Sequence, residues 1–278
     1  MLNQSIFSKM YAKVFCLLIV IVPSIINARR VYLRPAEGGT SNVYTLINSV
    51  WGSGATSENP DCSHPSFGRH IYQGNDGALN KQVFFFVSHV NPDNDRCRNF
   101  DRQRNEIRPD EGDLTGGNGE RMSFSWIFRL PDGFQPSNSF THLFQIKAVG
   151  GNDTQPLITF TPRRGTPNIM EVIYINSAHT TTRLQTADLT PFLNTWIKAR
   201  VYVTYGVAAV GRFSFTLSIN NGRTLMSHSG NIQMWRSGAR YYRGKWGIYR
   251  SLNNAQQLRD EIVRFDNICI AKNDPECT

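Results

Sequence analysis

The chain has 278 residues, 40% of them hydrophobic, and carries 30 Lys and Arg against 21 Asp and Glu for a formal charge of +9. Beyond the N-terminal segment no run approaches the roughly 20 apolar residues of a membrane-spanning helix, so none is expected there. The cationic excess points to an anionic partner, whether polysaccharide, nucleic acid or membrane surface, beside its ordinary role in solubility.

In chain order, residues 1–28 read as a secretory signal peptide. Lys9 and Lys13 supply the positive start, an apolar run over 14–26 is broken only by Pro23 and Ser24, and the small Ala28 suits cleavage. A retained anchor is the weaker reading, since the run is too short to span a bilayer comfortably. Losing Lys9 and Lys13 takes the formal charge from +9 to +7. The remaining stretch, 29–278, is expected to be one secreted, monomeric domain. Secretion favours an extracellular acidic polysaccharide as partner over nucleic acid, with no membrane contact once the signal is removed.

Residues 34–59, rich in Gly, Ser and Thr, read as an irregular lead-in. Dense apolar or alternating runs then predict strands at 83–87, 121–130, 140–149, 156–161, 169–176, 196–205, 211–219, 245–251 and 261–271. Pro131-Asp132-Gly133, Gly150-Gly151-Asn152-Asp153 and Asn220-Asn221-Gly222 mark turns between them. Short helices are expected at 187–193 and 253–258. So many strands bury their apolar faces only by stacking, which predicts an all-β jelly-roll sandwich of two antiparallel sheets with a concave, basic groove.

Cys16 falls in the signal and leaves Cys62, Cys97, Cys269 and Cys277 in an oxidising compartment. Two disulfides are expected; three connectivities are open, with Cys269–Cys277 preferred. The thiols lack zinc-site spacing, and Asp93, Asp95 and Asp101 lack that of an EF-hand, so no metal or cofactor is predicted. Asn152-Asp153-Thr154 is a glycosylation sequon.

Three segments carry the chemistry. In Asp101-Arg102-Gln103-Arg104-Asn105-Glu106-Ile107-Arg108 a strand projects Arg104, Glu106 and Arg108 together, with Arg102 beside them. Glu106 can orient one or two guanidinium groups and leave a donor for an external anion, unless the segment is a solvated, ion-paired face. In Thr141-His142-Leu143-Phe144-Gln145-Ile146-Lys147, Gln145 and Lys147 share a face, and His142 lies on the other unless a bulge intervenes. In the third, running from Tyr241 to Ser251, Lys245, Gly247 and Tyr249 align, Gly247 leaving ligand space between two functional side chains. Tyr241 and Arg250 flank them as further substrate contacts. Each segment also has a plain structural reading, as a core imidazole or an amphipathic strand.

Arg104-Asn105-Glu106-Ile107-Arg108, Gln145-Ile146-Lys147 and Lys245-Trp246-Gly247-Ile248-Tyr249 resemble, in order, the R-x-E-x-R, Q-I-H and K-x-G-x-Y signatures of concanavalin A-like jelly-roll polysaccharide lyases. That group includes alginate lyases, and glucuronan-lyase-like and heparin-lyase-I-like proteins are similar too. The resemblance implies β-elimination on a uronate polymer without a cofactor. Arg104, Arg108 and Gln145 would neutralise the uronate carboxylate, and Tyr249 would protonate the leaving oxygen. Lys147 stands where the family has its histidine. The proton acceptor is then Tyr249 itself, or His142 or His89 reaching in from elsewhere; otherwise the chain only binds, as a lectin-like protein. A glycoside hydrolase would need a carboxylate pair, and Glu106 has no evident partner in the sequence.

Overall fold

The computed structural model describes residues 29–39, 42–52, 54, 56–110, 112–273 and 277; the predicted signal peptide lies outside the described residues. Alternation of apolar and polar residues resolves into strands β1 (Arg29–Leu33), β2 (Ser57–Glu58), β3 (Ile71–Asp76), β4 (Lys81–Ser88) and β5 (Arg102–Ile107). There follow β6 (Arg121–Arg129), β7 (Thr141–Val149), β8 (Ile158–Arg163), β9 (Ile169–Ile175) and β10 (Thr181–Asp188). The last are β11 (Trp196–Thr204), β12 (Arg212–Ile219), β13 (Thr224–Asn231), β14 (Tyr241–Ser251) and β15 (Glu261–Lys272). They form two antiparallel sheets, ordered β13-β12-β11-β6-β15-β4-β3 with β1 added on β15, and β10-β9-β8-β7-β14-β5-β2. This is the expected jelly-roll sandwich.

The sheets meet through their aromatic faces. Trp126 of β6 packs on Phe144 of β7 at 4.5 Å between ring centroids, and Phe144 lies 5.3 Å from Trp246 of β14. All three rings are essentially inaccessible. Each such side chain stabilises the fold by roughly 1.5–3 kcal/mol through removal of apolar surface from water. Because strand side chains alternate, burying Trp246 and Ile248 commits Lys245 and Tyr249 to the opposite face of β14. The two disulfides are Cys62–Cys97 and Cys269–Cys277, the latter as preferred from sequence.

Several elements depart from expectation. The lead-in at 34–59 contains helix α1 (Val43–Trp51), capped by Asn42, whose side chain accepts from the Thr45 amide. Val43, Ile47 and Trp51 fall four residues apart and are buried, and Trp51 packs 5.4 Å from Trp246. The helices expected at 187–193 and 253–258 shrink to single turns at Thr190–Phe192 and Ala255–Gln257. Residues up to Asp188 are instead held in edge strand β10 by pairing with β9. No helix among the described residues is long and apolar enough to cross a membrane.

Candidate active site

The three sequence segments become neighbouring strands. On the face away from the core, β14 sets Lys245 opposite Gln145 of β7, and Tyr249 between Arg104 of β5 and His142 of β7. Short β2 places Glu58 directly across from Glu106. Two carboxylates in that position repel each other, and the cations between them reverse the sign. Lys245 bridges both, with its ammonium 2.8 Å from Glu106. Arg104 reaches Glu106 at 2.7 Å and Glu58 at 3.7 Å.

Glu106 is wholly buried and takes donors from Arg104, Lys245 and Gln145, so it orients three of the predicted site residues at once. Burial opposes ionisation of Glu58, but Lys245, Arg104 and Arg96 outweigh it and hold the carboxyl well below the usual range. Around this centre, Asp95 binds Arg104 at 3.0 Å and Arg96 at 2.7 Å, and Asp110 binds Arg108 at 2.6 Å and Arg243 at 3.1 Å. The face is therefore an ion-pair network rather than a bare cationic surface. Its ordered guanidinium groups are held in place before any ligand arrives.

Tyr249 lies at one end of this network. Arg102 donates to its hydroxyl oxygen at 2.9 Å, and the Arg104 guanidinium stacks 3.6 Å from the ring centroid. Since the phenol oxygen accepts from Arg102, its own proton is directed elsewhere. Phe140 packs on the ring at 4.9 Å.

His142 reaches the same face because β14 shifts register against β7 between Trp246 and Tyr249. Its ring centroid lies 5.8 Å from that of Tyr249, and its Nδ1 is 2.8 Å from the Thr161 hydroxyl. Burial, reinforced by Arg163, Arg104, Lys245 and Lys147, pushes the imidazole pKa down to about 3. His142 is thus neutral across the physiological range, with a free lone pair whose basicity burial and the same cations lower.

Lys147 sits further along the face, opposite Arg243, and donates to the Asp153 carbonyl. Burial, then the charge of Lys245, pushes its pKa down to about 8. Tyr241 anchors the end of β14 by donating to the Asp110 carbonyl at 2.8 Å.

Four expectations are corrected. Arg250 does not face the site: it alternates inward, is fully buried, and donates to Gln103 at 2.7 Å and to the Arg259 carbonyl at 2.9 Å. His89 lies instead with His64, His70 and Asp93, a group able to hold a metal that the sequence reading did not foresee. Gly247 does not open ligand space, since a Cβ there would overlap the Asn105 carbonyl and lie 2.7 Å from Glu106 Cα. Its φ of 149° and this close approach let β14 and β5 pair across the bulge. Glu106 does have a carboxylate opposite, Glu58, but with one held ionised and the other saturated by donors the pair is not a glycosidase acid and base.

Sequence reasoning also missed Glu58, Asp95, Arg96, Asp110 and Arg243. Glu58 stands on a strand of two residues with no alternation to reveal it. Arg243 was legible, since it shares the parity of Lys245 and Tyr249 along β14.

No protein-family model matches the sequence, and no curated protein matches it. Solved structures do. The chain is similar to a PL-14 alginate lyase from Aplysia kurodai, with 12% identity, a TM-score of 0.57, and 87% of this chain and 97% of that one covered. It is similar to an endo-β-1,4-glucuronan lyase from Trichoderma reesei at 12% identity and a TM-score of 0.51, covering 73% and 87%. An alginate lyase from Pseudomonas aeruginosa aligns at 14% identity and a TM-score of 0.51, covering 77% and 96%. The chain therefore has the jelly-roll fold of the polysaccharide lyases.

Proposed function

We propose that this chain is a secreted polysaccharide lyase that cleaves a uronate-containing polymer by β-elimination across β5, β14 and β7. The observation that carries the reading is the grouping of Tyr249, Arg102, Arg104 and a neutral His142 on one strand face. In this reading His142 accepts the proton from C5 of the uronate. The electron pair moves into the C4–C5 bond, the C4–O bond breaks, and Tyr249 protonates the departing glycosidic oxygen.

The negative charge that builds on the uronate carboxylate is met by prepositioned donors. Arg104 is fixed by Glu106 and Asp95, Gln145 by Glu106, and Lys147 spends one of its three N–H groups on Asp153. Arg102, Arg108, Lys245 and Tyr241 extend or brace this surface. The polymers named for the structural neighbours, alginate and glucuronan, both present such a carboxylate.

The alternative is a lectin-like protein that binds an acidic polysaccharide without turnover. Lys147 at the family histidine position, and cations already matched by carboxylates, favour it. The test is ultraviolet absorbance of the unsaturated uronate product on a panel of polymers, comparing wild type with Tyr249→Phe. A rise that the substitution abolishes supports elimination; salt-sensitive binding without any rise leaves the lectin reading.

A further inference from the structure

Away from the ion-pair network, two loops bring together side chains that no step above uses. His64 lies between β2 and β3, His70 immediately precedes β3, His89 immediately follows β4, and Asp93 comes four residues later. One donor atom from each lies within 4.8 Å of every other. His64 Nδ1 and His70 Nε2 approach Asp93 Oδ1 at 3.2 and 3.1 Å, and His89 Nδ1 approaches Asp93 Oδ2 at 3.1 Å.

We propose that His64, His70, His89 and Asp93 form a structural zinc site. Ligands on a tetrahedral ion with bonds of 2.0–2.1 Å are separated by about 3.3 Å; the nitrogen–oxygen separations, two to Oδ1 and one to Oδ2, are close to this, and the full set, within 4.8 Å, would draw in around the ion. The donor set selects the metal: three imidazoles and one carboxylate suit zinc, whereas calcium and magnesium require oxygen cages. Four protein ligands leave no open position, which marks a structural rather than catalytic ion.

The surroundings are those of a metal-binding histidine. His70 is completely buried, and its second nitrogen, Nδ1, lies 2.9 Å from Asp61, leaving Nε2 for the ion. Asp61 is itself held by the Tyr44 hydroxyl at 2.8 Å and the His70 amide at 3.1 Å. Asp93 is buried and accepts the His89 amide at 2.7 Å, which fixes the carboxylate plane. Phe67 covers the rings of His70 and His89 at 4.8 and 4.4 Å.

The ion would tie together the same two loops that the Cys62–Cys97 disulfide joins. Two residues beyond Asp93, Asp95 holds Arg104, so the metal would brace the candidate active face from behind. The proposal does not depend on the lyase reading, because its test measures metal and not turnover.

The purified chain, stripped with a chelator, is titrated with zinc alone by calorimetry, and its metal content is measured after dialysis. The expected result is one zinc per chain and a melting temperature that rises with zinc but not with calcium or magnesium. Asp93→Asn and His64→Ala, at a partly exposed position, should each weaken zinc binding at least tenfold, and Asp61→Asn by about 10–100-fold. Circular dichroism establishes that His64→Ala is folded, and cobalt substitution should give the visible spectrum of a tetrahedral ion. Less than one equivalent of zinc on the wild type, or undiminished binding by folded His64→Ala, overturns the proposal.

Discussion

Replacing Glu106 by Gln tests whether the candidate site is organised around one buried carboxylate. The charge disappears from a position with no solvent access, beside Arg104 at 2.7 Å and Lys245 at 2.8 Å. Breaking a buried ion pair on one side costs about 3–5 kcal/mol, because the stranded cation cannot be hydrated. Here Arg104 keeps Asp95 and Lys245 keeps Glu58, which places the loss at the low end, about 3 kcal/mol. With a urea dependence of about 3 kcal/mol per M, the unfolding midpoint falls by roughly 1 M. Adding Lys245→Met removes one stranded cation, so the double variant should recover about 1–2 kcal/mol relative to additivity. A midpoint within roughly 0.3 M of wild type for Glu106→Gln, or strict additivity with Lys245→Met, would refute the hub.

Gly247→Ala forces a Cβ into the β5 backbone at a positive φ, so it should lower stability by about 1–3 kcal/mol in thermal unfolding. A neutral effect would mean that β14 and β5 do not approach so closely. For Lys147, whose folded pKa of about 8 lies below the unfolded 10.5, the native state binds fewer protons than the unfolded state between those values. Stability of the wild type should therefore rise relative to Lys147→Met as pH climbs from about 8 to about 10.5, and stay parallel to it below. If His142 accepts the proton, kcat/KM should not fall between about pH 7 and pH 5, where an ordinary imidazole protonates. Arg163→Gln removes a cation that depresses its pKa and should move the acid limb to higher pH.

The sandwich was legible because core strands such as β12 alternate apolar and polar residues over their full lengths, and β6 and β11 do so over most of theirs. Edge strands were not: β10 fully buries no residue and sets only Leu184 and Ala187 partly against the core, so pairing with β9 largely defines it. The site was readable in part for the same reason. Arg104, Glu106, Lys245 and Tyr249 share a face by parity alone, and parity, applied one residue further, would have turned Arg250 inward.

The placement of His142 depends on a register shift that no side-chain pattern records. Glu58 and Asp95 come to Arg104 from a two-residue strand and a loop, where tertiary pairing rather than periodicity sets position. The histidine cluster escaped for a related reason. His64, His70, His89 and Asp93 have no metal-motif spacing, and only the packing of two loops gathers them.

Mass spectrometry of fragments formed from a uronate polymer in heavy-oxygen water tests the central claim most directly. Elimination leaves an unsaturated sugar at one new end and keeps the glycosidic oxygen at the other, so immediately reduced fragments should carry no heavy oxygen. Incorporation of one heavy oxygen per cleavage, with no unsaturated end, would contradict a lyase and identify hydrolysis instead.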